Sequence, residues 1–199
     1  MEDRKLRIGV VIASVRQNRL GEKIARWFFG LAEQHPQLAP VLLDLRDFSI
    51  GNYEEPRMPT IAAADWPQEG QRKWAETVAQ QDGFVIVTPE YNHGYPGSLK
   101  NALDHVYGGW NGKPVGFVSY GGVVGGSRAV EQLRLVAVEL QMAPVRAEVN
   151  IAFAGRALDA SGAPSDPLHA QRAQVLLRQM AWWGHALAAE REREAYPAR

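Results

Sequence analysis

Five short runs of apolar and β-branched residues recur along the chain, at residues 8–13, 40–45, 83–88, 115–119 and, more weakly, 145–151. Each is nearly continuous rather than alternating, as expected of a strand buried on both faces of a parallel sheet. Between the runs the apolar positions recur at three- and four-residue steps. Leu20, Ile24, Trp27, Phe28 and Leu31 form one helical stripe, and Val130, Leu133, Ala137 and Leu140 form another. A third stripe, Leu176, Met180, Trp183 and Leu187, predicts a C-terminal helix. Strands alternating with helices predict a doubly wound α/β fold, because right-handed crossovers place helices on both faces of the sheet. Five parallel strands in this rhythm suit the order 2-1-3-4-5, which opens a ligand crevice at the carboxyl ends of the first and third strands.

Two segments stand outside the pattern. Residues 49–67 show no clear period and hold Pro56, Pro59 and Pro67. Loops of this length usually have a task, so a lid or an interface arm is expected. Residues 190–199 are mostly charged and are expected to fray. With 46% hydrophobic and 22% charged residues, the 199-residue chain has the composition of one ordinary globular core, so a single domain over 1–199 is expected.

Composition also narrows the partners. Lysine plus arginine and aspartate plus glutamate each number 22, so the formal net charge is zero and no nucleic-acid partner is expected. With no cysteine, thiolate catalysis, disulfides and Cys-held zinc or iron–sulfur clusters are excluded. Any redox chemistry must then belong to a bound cofactor. His35, His105, His169 and His185 stand apart at spacings unlike those of metal ligands, so no metal is expected. The N-terminus lacks the apolar core of a secretory signal, and no apolar run is long enough to span a bilayer, so the expectation is a cytoplasmic protein with no membrane contact.

The candidate chemistry lies in three loops, each after a predicted strand. The first is Ala13-Ser14-Val15-Arg16-Gln17-Asn18-Arg19-Leu20-Gly21, directly before a helix. Backbone N–H groups and the positive end of the helix dipole favour a phosphate there, with hydrogen bonds from Ser14 and Asn18 and a forked grip from Arg16 or Arg19. The plainer alternative is that Ser14 and Asn18 cap the helix while the arginines face water. The loop shows neither G-x-G-x-x-G nor the Walker lysine signature, nor a nucleophile elbow around Ser14.

The second loop is Pro89-Glu90-Tyr91-Asn92-His93-Gly94-Tyr95-Pro96-Gly97. Its prolines and glycines shape a turn that can present backbone groups to a flat ring, with Tyr91 and Tyr95 to wall it. The alternative is a structural turn whose tyrosines cover the core. The third loop, Ser119-Tyr120-Gly121-Gly122-Val123-Val124-Gly125-Gly126-Ser127, carries four glycines in six residues. They imply close approach of the backbone, whose N–H groups can meet a ring edge that gathers negative charge on reduction. Taken alone, such a loop also reads as a flexible connection.

With these residues in view, the chain resembles the NADPH-dependent FMN reductase family, a flavodoxin-like group that includes azo, quinone and chromate reductases. The strongest element is Pro89-Glu90-Tyr91-Asn92 followed by Pro96-Gly97-Ser98-Leu99-Lys100-Asn101-Ala102-Leu103-Asp104, similar to the family's signature loop and helix. The first loop resembles the family's Gly-Ser-x-Arg phosphate loop, with Ala13 where glycine is usual and Asn18 where serine is frequent. The resemblance implies FMN as cofactor and NADPH or NADH as electron donor. It implies that Ser14, Arg16, Asn18 and Arg19, with Leu20 and Gly21 at the helix start, hold the FMN phosphate. Pro89, Glu90, Tyr91 and Asn92 would then line the isoalloxazine ring, and Ser119, Tyr120, Gly121 and Gly122 would close its other edge. It also implies a homodimer or homotetramer with sites near the subunit boundary, and a small acceptor such as a quinone, azo compound, free flavin or oxyanion. A flavodoxin-type electron carrier or an FMN-binding sensor is the alternative, and the zero net charge speaks against an acidic carrier.

Overall fold

The structure is a computed structural model that describes residues 4–60 and 63–197. Five strands form one parallel sheet: β1 (Leu6–Ile12), β2 (Leu38–Asp44), β3 (Gly83–Pro89), β4 (Pro114–Tyr120) and β5 (Ala143–Ile151), in the order β2-β1-β3-β4-β5. The helices are α1 (Leu20–Glu33), α2 (Glu69–Ala79), α3 (Gly97–Asp104), α4 (Ser127–Glu139), α5 (Ala154–Ala157) and α6 (Pro167–Arg193). This is the flavodoxin-like doubly wound arrangement expected from the alternating pattern.

Strand alternation divides the interior in two. Ile8, Val10 and Ile12 of β1, Val85 and Val87 of β3 and Val118 of β4 face α1 and α6, where they meet Ile24, Phe28, Leu176 and Met180. Val11, Phe84, Ile86, Val115 and Phe117 face the opposite layer, with Trp74, Val78, Leu103, Trp110 and Leu133. Because β3 and β4 are buried at every position, neither shows a polar face in sequence. The weak reading of β5 has an equally simple cause: it lies at the sheet edge, and only three of its nine residues are buried.

Helix α6 departs from its expected stripe. Its buried positions are Ala173, Leu176, Leu177, Met180, Ala181, Gly184 and Ala188, while Trp183 is 40% exposed. Gly184 sets this rotation, since a Cβ there would lie 2.6 Å from Leu6 Cδ1, so the helix presses its backbone onto β1. The helix also continues to Arg193, past the point where charge composition predicted fraying. Arg191 donates to the Gly112 carbonyl and faces Asp82 at 3.7 Å, which holds this end against the sheet. Residues 198–199 of the expected tail lie outside the described residues.

The aperiodic segment 49–67 folds as a strap across α3, with residues 61–62 outside the described residues. Asn101 of α3 accepts from the Tyr53 N–H at 3.0 Å and donates to the Gly51 carbonyl. Tyr53 and Trp66 close over the buried His105 ring, and Trp66 is 1% exposed.

Candidate active site

The first, second and third loops leave the carboxyl ends of β1, β3 and β4, and the hydrogen bonds among them join them into one constellation. Ser14 Oγ and Tyr91 Oη share a hydrogen bond of 2.8 Å between the first and second loops. The Glu90 N–H donates to the Tyr120 carbonyl at 3.0 Å, joining the second loop to the end of β4. Ser98 of α3 donates to the Ala13 carbonyl at 2.9 Å, tying the helix after the second loop to the first.

The first loop leaves several donors without protein partners among the described residues. The N-cap of α1 is Arg19 and carries no side-chain cap, so the simple capping role for Ser14 and Asn18 does not hold. Asn18 sits at φ +50°, the left-handed conformation that asparagine tolerates better than most residues. Among the described residues, the backbone N–H groups of Val15, Gln17 and Asn18 meet no protein acceptor, and that of Arg16 reaches Ser14 Oγ only at 3.4 Å. The Arg16 side chain is exposed, pairs with no carboxylate among the described residues and lies 5.6 Å over the Tyr91 ring. Unpaired N–H groups, a guanidinium and a 14-residue helix with an uncapped N-terminus together suit a phosphate.

Arg19 is placed apart from Arg16, with its guanidinium turned into the protein. Its side chain is 3% exposed and its guanidinium donates to the Ser14 carbonyl at 2.7 Å and to both carboxylate oxygens of Asp44. It therefore holds the loop from beneath and has no fork to offer a phosphate. Asp44, which only the three-dimensional pairing of β2 with β1 reveals, is its counter-charge.

Tyr120 is also placed differently from expectation. Its ring points toward α1 rather than to a ring edge, and its hydroxyl lies so near the start of the helix that a Cβ at Gly21 would come within 2.3 Å of it. Gly21 is thus required by Tyr120. Burial and the nearby Tyr91 push the Tyr120 hydroxyl well above the ordinary phenol range, so it remains a neutral hydrogen-bonding group beneath the first loop.

In the second loop, Asn92 and His93 both have positive φ, +49° and +69°, and Tyr91 and Gly94 exchange hydrogen bonds of 2.8 and 3.0 Å. This is a two-residue turn of the I′ kind, built here without glycine at its centre. Gln132 of α4 donates to the His93 carbonyl at 2.9 Å and holds the turn. Pro89 closes β3, while the Glu90 side chain turns away toward α4. There it accepts from the Arg128 N–H at 3.3 Å and from Arg128 Nε at 2.6 Å. Glu90 therefore contributes backbone to the loop surface, and its carboxylate clasps the second loop to the third.

In the third loop the Ser119 side chain points into the protein. Its hydroxyl is fully buried, donates to the Gly125 carbonyl at 2.8 Å and accepts from Asn150 Nδ2 at 3.0 Å, so it braces the loop internally. The loop's shape depends on Gly125 and Gly126, which the sequence reading did not single out. They sit at φ +62° and +89°, and a Cβ on Gly126 would lie 2.7 Å from Ser119 Cβ. Gly122, by contrast, is exposed, and a Cβ there meets nothing within 4 Å. Gly121 and Gly122 thus remain the loop's candidates for facing a ligand.

The sequence profile of the NADPH-dependent FMN reductases matches residues 6–156, which include all three loops. The chain belongs to this family. Its similarity to an NAD(P)H-dependent FMN reductase of Schizosaccharomyces pombe is 43% identity over 136 residues, 68% of each chain. A quinone reductase of Pseudomonas putida is 34% identical over 166 residues, covering 80% of this chain and 84% of the relative. Among solved structures, the flavoenzyme FerB of Paracoccus denitrificans, an NAD(P)H:(acceptor) oxidoreductase, superposes with a TM-score of 0.72 at 26% identity. That match covers 91% of this chain and 98% of FerB. As a member of the NADPH-dependent FMN reductase family the protein is an oxidoreductase, with FMN as the cofactor and NAD(P)H as the electron donor of its reaction class.

Proposed function

We propose that the protein takes reducing equivalents from NAD(P)H through bound FMN and delivers them to a small acceptor, with quinones as the first class to try. The observation that carries this reading is the convergence of the three loops, sealed by the Ser14–Tyr91 hydrogen bond and the Glu90–Arg128 clasp. FMN supplies the hydride and electron chemistry when bound. The protein's part is to hold and orient. Arg16, Ser14, Asn18 and the N–H groups at the start of α1, with Leu20 and Gly21, form the phosphate seat, and Arg19 and Tyr120 support it from below. Pro89, Tyr91 and Asn92 wall the ring, Gly121 and Gly122 bring no side chain to its edge, and the Gly122 N–H, which meets no backbone acceptor among the described residues, is left to face it. Quinones are favoured because several relatives are named quinone reductases, including those of Pseudomonas putida and Escherichia coli.

We also propose a cytoplasmic homo-oligomer. Exposed Leu135 and Val138 on α4 and Met58 on the strap support an apolar self-contact. No helix among the described residues is long and apolar enough to cross a membrane. The function is tested by titrating the protein with FMN and then following NADPH and NADH oxidation with a benzoquinone. Flavin binding with turnover is expected. Flavin binding with no oxidation of either nucleotide would leave an electron carrier or sensor instead, and no flavin binding would overturn the reading altogether.

A further inference from the structure

A hollow of about 510 Å³ lies at the carboxyl end of β5, beside the third loop and outside the crevice between β1 and β3. Its lining includes Asn150, Phe153, Arg156, Asp166, His169 and Arg172. Phe153 is held at φ 48° and ψ 44°, a left-handed conformation that a bulky aromatic residue adopts only at a cost, and its side chain stays 44% exposed. The surroundings impose this conformation: the Phe153 N–H donates to the Gly122 carbonyl at 2.8 Å, and the next N–H, of Ala154, donates to the Gly121 carbonyl at 3.0 Å. The two residues that lead into the hollow are thus bonded to the two glycines left to face the cofactor.

The charge in the hollow is unbalanced. Arg156 stacks on the Phe153 ring at 4.4 Å, and neither Arg156 nor Arg172 pairs with a carboxylate among the described residues. The carboxylate of Asp166 is engaged as the N-cap of α6, accepting from the Leu168 N–H at 2.9 Å. His169 sits with its two ring nitrogens at 3.2 and 3.3 Å from the carbonyls of Asp166 and Asn150 and closes the hollow between them. An exposed aromatic ring with one guanidinium over it, and a second arginine lining the same hollow, suits a ligand that joins a flat base to a phosphate.

We propose that this hollow binds the adenosine 2′-phosphate end of NADPH, with the purine against Phe153 and the phosphate between Arg156 and Arg172. The nicotinamide then reaches the crevice across Gly121 and Gly122. The proposal rests on the reading of the protein as a nicotinamide-nucleotide oxidoreductase, and it deepens that reading by making NADPH the preferred donor. A 2′-phosphate carries nearly two negative charges at neutral pH, which two guanidiniums match; the corresponding hydroxyl of NADH leaves them unmatched.

The test begins with calorimetric titration of the full chain with adenosine 2′,5′-bisphosphate, with 5′-AMP and with inorganic phosphate. The bisphosphate is expected to bind best, and Arg156→Gln and Arg172→Gln, both at exposed positions, are each expected to weaken it about tenfold. Phe153→Ala is expected to weaken the bisphosphate and 5′-AMP alike. In steady state the arginine variants are expected to raise KM for NADPH about tenfold while leaving kcat and the KM for NADH unchanged. Undiminished bisphosphate affinity in both arginine variants, or inorganic phosphate binding as well as the bisphosphate, would overturn the proposal. If the wild-type protein oxidises neither nucleotide, the functional reading fails by itself, and the bisphosphate titration still decides what the hollow binds.

Discussion

At the scale of the residue, the two arginines of the first loop separate binding from support. Arg16 is exposed over Tyr91, whereas Arg19 is buried on Asp44. Arg16→Ala is expected to weaken FMN by about 2 kcal/mol, the usual worth of a charge-assisted hydrogen bond, and to leave riboflavin, which has no phosphate, nearly unaffected. Fluorescence titrations with the two flavins check it, and equal loss for both would move Arg16 away from the phosphate. Arg19→Ala strips Asp44 of its counter-charge, so it is expected to lower the stability of the flavin-free protein by about 3 kcal/mol in urea unfolding. Gly21 and Tyr120 form a second pair. Gly21→Ala is expected to destabilise the protein because its Cβ would meet the Tyr120 hydroxyl at 2.3 Å, and adding Tyr120→Phe is expected to return part of the loss. Additive losses in that double-mutant cycle would contradict the contact.

At the scale of the element, the third loop contains glycines with different tasks. Gly126 adopts φ +89° and packs against Ser119, so Gly126→Ala is expected to cost about 2 kcal/mol through strain and collision. Gly122 faces open space, so Gly122→Val is expected to leave the melting of the flavin-free protein close to wild type and to reduce flavin affinity. Differential scanning of the flavin-free proteins, followed by flavin titration, separates the two effects. A Gly122→Val protein with native flavin affinity would place the ring elsewhere.

At the scale of the whole molecule, the end of the sheet opposite the loops carries a buried charge with a measurable signature. Lys113 is 7% exposed and donates to the carbonyls of Val78 and Ala79 at the end of α2, at 3.1 Å each. Burial, aided by Arg191, lowers its pKa from 10.5 to about 8, while Asp82 opposes the shift. Below pH 8 the lysine is charged in both states and the cost of burying the charge is fully present. Between about 8 and 10.5 the unfolded chain keeps a proton that the folded chain has released, so stability rises with pH across that window. At about 1.4 kcal/mol per unit, the full rise is about 3 kcal/mol. The difference in unfolding free energy between wild type and Lys113→Met is therefore expected to move in favour of wild type from pH 7.5 to 10. A flat difference would show that Lys113 does not titrate there.

The sequence by itself determined the strands, the principal helices, the sheet order and the three loops, because these depend on local periodicity and on the rule that parallel strands carry their ligands at their carboxyl ends. The family resemblance was equally legible, since its signature is a continuous run from Pro89 to Asp104. The direction of individual side chains was not. Arg16 and Arg19 are alike in sequence, and only the pairing of β1 with β2 brings Asp44 beneath one of them. Ser119 looked like a loop donor until β5 brought Asn150 to its hydroxyl, and Tyr120 looked like part of a ring edge until the sheet's alternation sent it toward α1. The buried face of α6 departs from the apolar stripe at Trp183 for the same reason: helical period shows that one face is apolar, but the close approach of Gly184 to Leu6 decides which residues that face contains. Such choices rest on contacts between residues far apart in the chain, and those contacts exist only once the sheet has formed.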